Sequence, residues 1–246
     1  QDTQASNAVA VGASAGQTAQ GTLATAVGAS AGQTTQGDYG VAMGSSAGQT
    51  TQGAGATAAG YLAGTTNQGD NATAVGSAAG NYLQGTYATA VGNSAGQTAQ
   101  GSSAVAIGRL AGSSTQGNNS TAVGYGAGQT GQLSNATAYG REAGNDTQGV
   151  YSVAVGYRAG YTGQGGNSVA IGRNAGLTNQ GSSGIIISSA GSIAVDNTTP
   201  GHIVLKSSTG DMTWNGTTWT HSGTISFSVS EEFRASLQPL AGPEMF

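Results

Sequence analysis

Glycine recurs at Gly12, Gly28, Gly44, Gly60, Gly76, Gly92, Gly108, Gly124, Gly140, Gly156 and Gly172, a spacing of sixteen residues with no insertion or deletion. A fixed period of this length makes one short unit, stacked on its own copies, the element of folding. Three further columns keep the same register: alanine from Ala10 to Ala170, an Ala-Gly pair from Ala15-Gly16 to Ala175-Gly176, and glutamine. The glutamines are Gln20, Gln36, Gln52, Gln68, Gln84, Gln100, Gln116, Gln132, Gln148, Gln164 and Gln180. Alternation of the kind seen in Ser168-Val169-Ala170-Ile171 has the period of a strand, and the flanking glycines read as turns. A helix would bear about 1 kcal/mol per interior glycine. The chain is therefore expected to be all-β, a parallel solenoid of eleven sixteen-residue coils, rising about 4.8 Å per coil to a rod of roughly 50 Å.

Composition agrees with this reading. The chain has 45 glycines and three prolines, which excludes collagen, and a net charge of only −4, which is low for a disordered chain. Cysteine is absent, so no disulfide contributes. The expected divisions are a lead-in at 1–6, repeats at 7–181, a β-rich cap at 182–230 and a tail at 231–246. The chain opens on Gln1 rather than methionine, as expected of a processed product or a fragment, and no segment suggests membrane insertion.

The two faces of the first strand differ. Its alanine column, with Ala24, Ala56, Ala72, Ser152 and Ser168 two positions earlier, suits a flattened roll with room for little more than methyl groups. The opposite face carries Val9, Val41, Val105, Val153 and Val169 beside Val11, Val27, Val75, Ile107, Val155 and Ile171, interspersed with threonine. With alanine inside, that stripe is an assembly interface and predicts a homotrimer. The alternative places Val and Ile inside a wider roll. Stacked glutamines read as an amide ladder, hence as architecture.

The residue after the first glycine is small in the early coils (Ala13, Ala29, Ser45) but becomes Arg109, Tyr125, Arg141, Tyr157 and Arg173 later. At ladder spacing each guanidinium can stack between rings, either as a surface ladder or as a recognition surface. Together with Arg158, Trp214 and Trp219 these are the candidate receptor-binding residues, since contact energy concentrates in Tyr, Trp and Arg.

Catalytic signals are few. His202 and His221 have no partners at metal or triad spacing, and Asp196 with Asp211 would form a glycosidase pair only if the fold joined them; both read better as turn formers. The expectation is no enzyme activity, no metal, no cofactor and no nucleic-acid partner. Past Gly181 the large Ile186 enters the alanine column, so the roll is expected to open or end there. Asn215-Gly216 and Thr209-Gly210-Asp211 signal hairpins, and Glu232 to Leu237 a short helix.

The copies at 167–176 (NSVAIGRNAG) and 103–112 (SAVAIGRLAG) resemble the head repeats of YadA-like trimeric autotransporter adhesins. AGQTTQG at 31–37 and 47–53 resembles repeats in fibre proteins of bacteriophages and large algal viruses, and the likeness covers about residues 7–195. The resemblance implies a left-handed β-roll that trimerises, or assembles further, at an extracellular or virion surface, and attaches to a host glycan or protein. A self-assembling secreted filament is an alternative. An ice-binding solenoid is another, because Thr18, Thr34, Thr50, Thr66, Thr98, Thr130, Thr162 and Thr178 align, with interruptions at Tyr82, Ser114 and Asp146.

Overall fold

The structure is a computed structural model that describes residues 4–189, 200–207 and 211–222. Those residues form a parallel β-solenoid with two sheets and no helix. The first sheet has fifteen strands: eleven three-residue strands from Val9–Val11 to Val169–Ile171, then Ile185–Ser188, Ile203–Lys206, Asp211–Trp214 and Trp219–Ser222. The second has eight, from Thr50–Gln52 to Thr162–Gln164. Each coil pairs with the next one period along, as Val41 with Thr57, Ala42 with Ala58 and Gln52 with Gln68. Single bridges extend the second ladder to Gln36, Gln20 and Gln4 at one end and to Thr178 at the other.

Burial decides between the two orientations of the first strand. The alanines at the centre of this strand, one per coil from Ala26 to Ala170, are fully buried, whereas Val9 and Val11 are 48% and 57% exposed and Val27, Val75, Ile107 and Ile171 are exposed as well. The interior is therefore methyl-lined. A Cβ added to Gly96 would lie 3.2 Å from the Ala90 Cβ and 2.6 Å from the Gln100 amide oxygen, so even one extra carbon crowds the interior. Where alanine gives way to serine, at Ser120, Ser152 and Ser168, the hydroxyl donates to the carbonyl three residues back, at 2.5–2.6 Å, and no buried donor is left over.

The glutamines cross this interior. Gln100 Nε2 donates to the Thr89 carbonyl at 2.8 Å, to the Ala104 carbonyl at 3.3 Å and to Gln116 Oε1 at 3.1 Å. The amide chain runs unbroken from Gln52 to Gln148 and resumes from Gln164 to Gln180. A ladder was expected. The bond to the strand across the roll was not, and it ties the two sheets together within each coil.

Turns close each coil with backbone in the left-handed region. Gly28, at φ +132, has a conformation confined to glycine, and a Cβ there would meet the Gly44 carbonyl oxygen at 2.6 Å. Two other turn columns hold ordinary residues at positive φ, among them Leu62 at 57°, Tyr87 at 60° and Arg158 at 53°, and so does the central position of the second-sheet strands, as Leu83 at 57°.

Beyond Gly181 the first sheet continues, while among the described residues the second ladder reaches no further than Thr178. Ile186 pairs with Ala170 and is fully buried, and Val204 pairs with Ile186, so the buried column runs on in larger residues. Both outcomes expected at Ile186, an opening and an end of the roll, turn on residues 190–199, which lie outside the described residues. Antiparallel strands Asp211–Trp214 and Trp219–Ser222 follow, and the second hairpin turns at Asn215, whose side chain accepts from the Thr217 and Thr218 amides at 3.0 and 2.8 Å. The pairing of Ile203–Lys206 with Asp211–Trp214 is that of the first expected hairpin, although Thr209 and Gly210 lie outside the described residues. Asp196, the segment from Glu232 to Leu237 and the whole 231–246 tail also lie outside them.

Candidate functional site

The residue after each first-strand glycine sits on the turn between the two sheets, at an edge of the roll. In-register stacking therefore places Arg109, Tyr125, Arg141, Tyr157 and Arg173 in one line along the rod. Arg109 and Arg141 lie 5.5 and 5.6 Å from the centre of the Tyr125 ring. Arg141 and Arg173 lie 5.6 and 5.9 Å from that of Tyr157. Guanidinium and ring alternate through five coils, as the sequence leads one to expect. Each such contact contributes about 0.5–1 kcal/mol at an exposed site.

Arg158 joins the line from the next turn position. Its guanidinium sits 5.3 Å from the Tyr157 ring centre and 5.0 Å from that of Tyr161, and its Nε donates to Glu142 Oε2 at 2.6 Å. Arg141 Nε donates to the other oxygen, Glu142 Oε1, at 3.3 Å. Glu142 is the most sheltered member, its side chain 12% exposed against 61% for Arg141 and 41% for Arg158. The hydrogen bond from Arg158 holds the Glu142 carboxyl below its ordinary 4.5; partial burial opposes this, and the charges of Arg158 and Arg141 add to it. Arg109 and Arg173 have ring contacts and no carboxylate partner among the described residues.

Glu142 and Tyr161 went unread in the sequence. Their signals are present: Glu142 and Arg158 are one period apart with opposite charge, and Tyr161 breaks a column that is Gln, Thr, Asn or Ser in every coil before it. The other expected site residues fall elsewhere. Trp214 and Trp219 form a cross-strand pair with ring centres 5.4 Å apart, on the hairpin, without contact to the arginine line. The glutamine column is buried and offers nothing to a ligand. The aligned threonines lie exposed or half-buried on the second sheet. His202 precedes strand Ile203–Lys206, and its carbonyl accepts from the Ile185 amide at 2.8 Å. No three His, Asp or Glu side chains converge among the described residues.

Two in-register parallel sheets around a column of methyl groups define a β-solenoid repeat protein, here with a cation–ring stack along one edge. No family model matches the chain, and neither a curated protein nor a solved structure matches it.

Proposed function

We propose that this chain is a non-enzymatic attachment module, a rigid rod that associates with two further copies of itself and displays the Arg–Tyr edge to a surface glycan or protein. The observation that carries the reading is the concentration of anchors. Four of the chain's six cationic side chains gather on that edge with three tyrosines, within the last five coils, while the first three coils hold Ala or Ser at the same turn position. Contact energy resides mainly in Tyr, Trp and Arg, so the early coils supply length and the later ones recognition.

Self-association rests on the apolar stripe. The outward column of the first sheet is apolar in every coil from Val11 to Ile187, mostly Val and Ile with Met43, Ala59 and Tyr139 among them, and it is exposed or half-buried throughout. A partner with the same axial period matches the stripe at every step, and a second copy of this chain has that period. An extracellular or virion-surface setting accords with such a rod and with the resemblance to adhesin and fibre repeats.

Attachment to arrayed surface glycans and proteins tests the reading. Replacing Tyr125, Arg141 and Tyr157 together by Ser should abolish binding while the circular-dichroism spectrum stays unchanged. Deleting residues 17–48, two whole coils, should shorten the rod by about 10 Å and leave binding intact. Attachment that survives the triple substitution but not the deletion would move the binding surface to the N-terminal coils.

A further inference from the structure

We infer that the Arg–Tyr edge binds a linear anionic polysaccharide carrying one acidic group per disaccharide, an inference that rests on the edge being the recognition surface. The spacing carries it. Arg109, Arg141 and Arg173 occupy the same turn position in alternate coils, so their guanidiniums recur at about 9.5 Å, twice the ladder step. A sugar chain in which an acidic unit alternates with a neutral one presents its anions at about that interval. Between the arginines stand Tyr125 and Tyr157, whose ring faces are covered by guanidiniums on the neighbouring coils. What such rings keep available is their edges and phenol hydroxyls, which suit the hydroxyl groups of the neutral unit.

The local charge has the matching sign. Four arginines face one carboxylate, Glu142, with Asp146 one strand further on, so the edge is cationic on a chain whose net charge is −4. Glu142 takes up one hydrogen-bonding edge of Arg158 and one of Arg141, whereas Arg109 and Arg173 have no such partner and retain the paired N–H groups that grip a carboxylate or sulfate. Nucleic acid fits less well. Its phosphates recur far more closely than 9.5 Å, at about 3.4 Å per strand in a duplex, and its unpaired bases seek open ring faces, which are covered here.

Binding of the full chain is measured by isothermal titration against four polymers: hyaluronan, the same polymer with its carboxylates reduced to alcohols, keratan sulfate, and single-stranded poly(dT). Hyaluronan and keratan sulfate separate a carboxylate source from a sulfate source, and either one binding supports the class. Carboxyl reduction should weaken binding by about tenfold or more, as should the double change Arg109→Gln with Arg173→Gln. Poly(dT) should bind at least about tenfold more weakly than the better sugar. The proposal is overturned if the reduced polymer or poly(dT) binds as well, if the double variant binds undiminished with an unchanged circular-dichroism spectrum, or if neither acidic sugar binds at low salt. Failure of the ligand class alone would show as a neutral glycan or protein whose attachment is still lost on replacing Tyr125, Arg141 and Tyr157. Failure of the edge itself would show as attachment indifferent to both sets of substitutions.

Discussion

The Arg158 Nε and the Glu142 Oε2 lie 2.6 Å apart although sixteen residues separate them, so this ion pair reports directly on the stacking of one coil upon the next. Because Glu142 has its pKa lowered in the fold, its contribution to stability is complete above the ordinary value of 4.5 and is lost as the pH falls through the lower, folded value. Glu142→Gln should reduce stability by about 0.5–1 kcal/mol at pH 7. In urea titrations at several pH values the gap between the two proteins should narrow below pH 4.5. A gap that is constant down to strongly acidic pH would show that the charge on Glu142 is not its source.

Ala90→Leu should destabilise the rod strongly, because the interior beside Gly96 has no room for a larger side chain. Overpacking of this kind costs typically about 1–3 kcal/mol. Ser94→Leu should change the melting temperature little, since its turn column already holds Leu62 and Leu110 at the same positive φ. Equal melting temperatures for the two variants would reverse the assignment of inside and outside.

Gln100→Leu removes the donor to the Thr89 carbonyl and leaves Gln84 without its amide acceptor, both in a buried setting. The expected loss is about 1–3 kcal/mol. Gln20→Leu should lose less, because Gln20 Oε1 accepts no hydrogen bond in the fold. Chemical denaturation of the two variants side by side gives the comparison, and an equal loss would mean that the amide-to-amide bond adds nothing to the bond across the roll.

Light scattering of the purified chain at micromolar concentration should give three times the chain mass of 23.7 kDa. Val75→Asp with Ile107→Asp, both in the exposed stripe, should shift the particle to the single-chain mass without changing its circular-dichroism spectrum. A wild-type protein that remains monomeric and soluble would remove the basis for treating the stripe as an interface.

The coil period, the strand position, the buried alanines and the arginine–tyrosine line could all be read from the sequence because each is a property of a column. Stacking turns a sixteen-residue interval into a contact, so any feature repeated or alternating at that interval declares its neighbours. What escaped the reading depends on a single coil or on the path across it. The Glu142–Arg158 pair occurs once, in a turn column that otherwise varies among Ser, Leu, Ala, Gly and Asn, so no repetition marks it. The bond from Gln100 to Thr89 spans eleven residues within one loop of the chain, and it depends on where the glutamine side chain lies across the roll, which no column states.

Thirty described residues other than glycine hold the left-handed backbone conformation, Leu23, Tyr39, Tyr87, Tyr151 and Arg158 among them. An ordinary side chain in that conformation costs about 1–2 kcal/mol relative to glycine. The rod therefore holds a reserve of stability that it does not use, distributed over its turns and the middles of its second-sheet strands. Introducing glycine at these sites would draw on that reserve, though the greater freedom of glycine in the unfolded chain would return part of the gain. Thermal tolerance can in this way be tuned coil by coil without touching the methyl-lined interior, and each large side chain kept at a corner marks a place where strain is tolerated for the sake of the surface it presents.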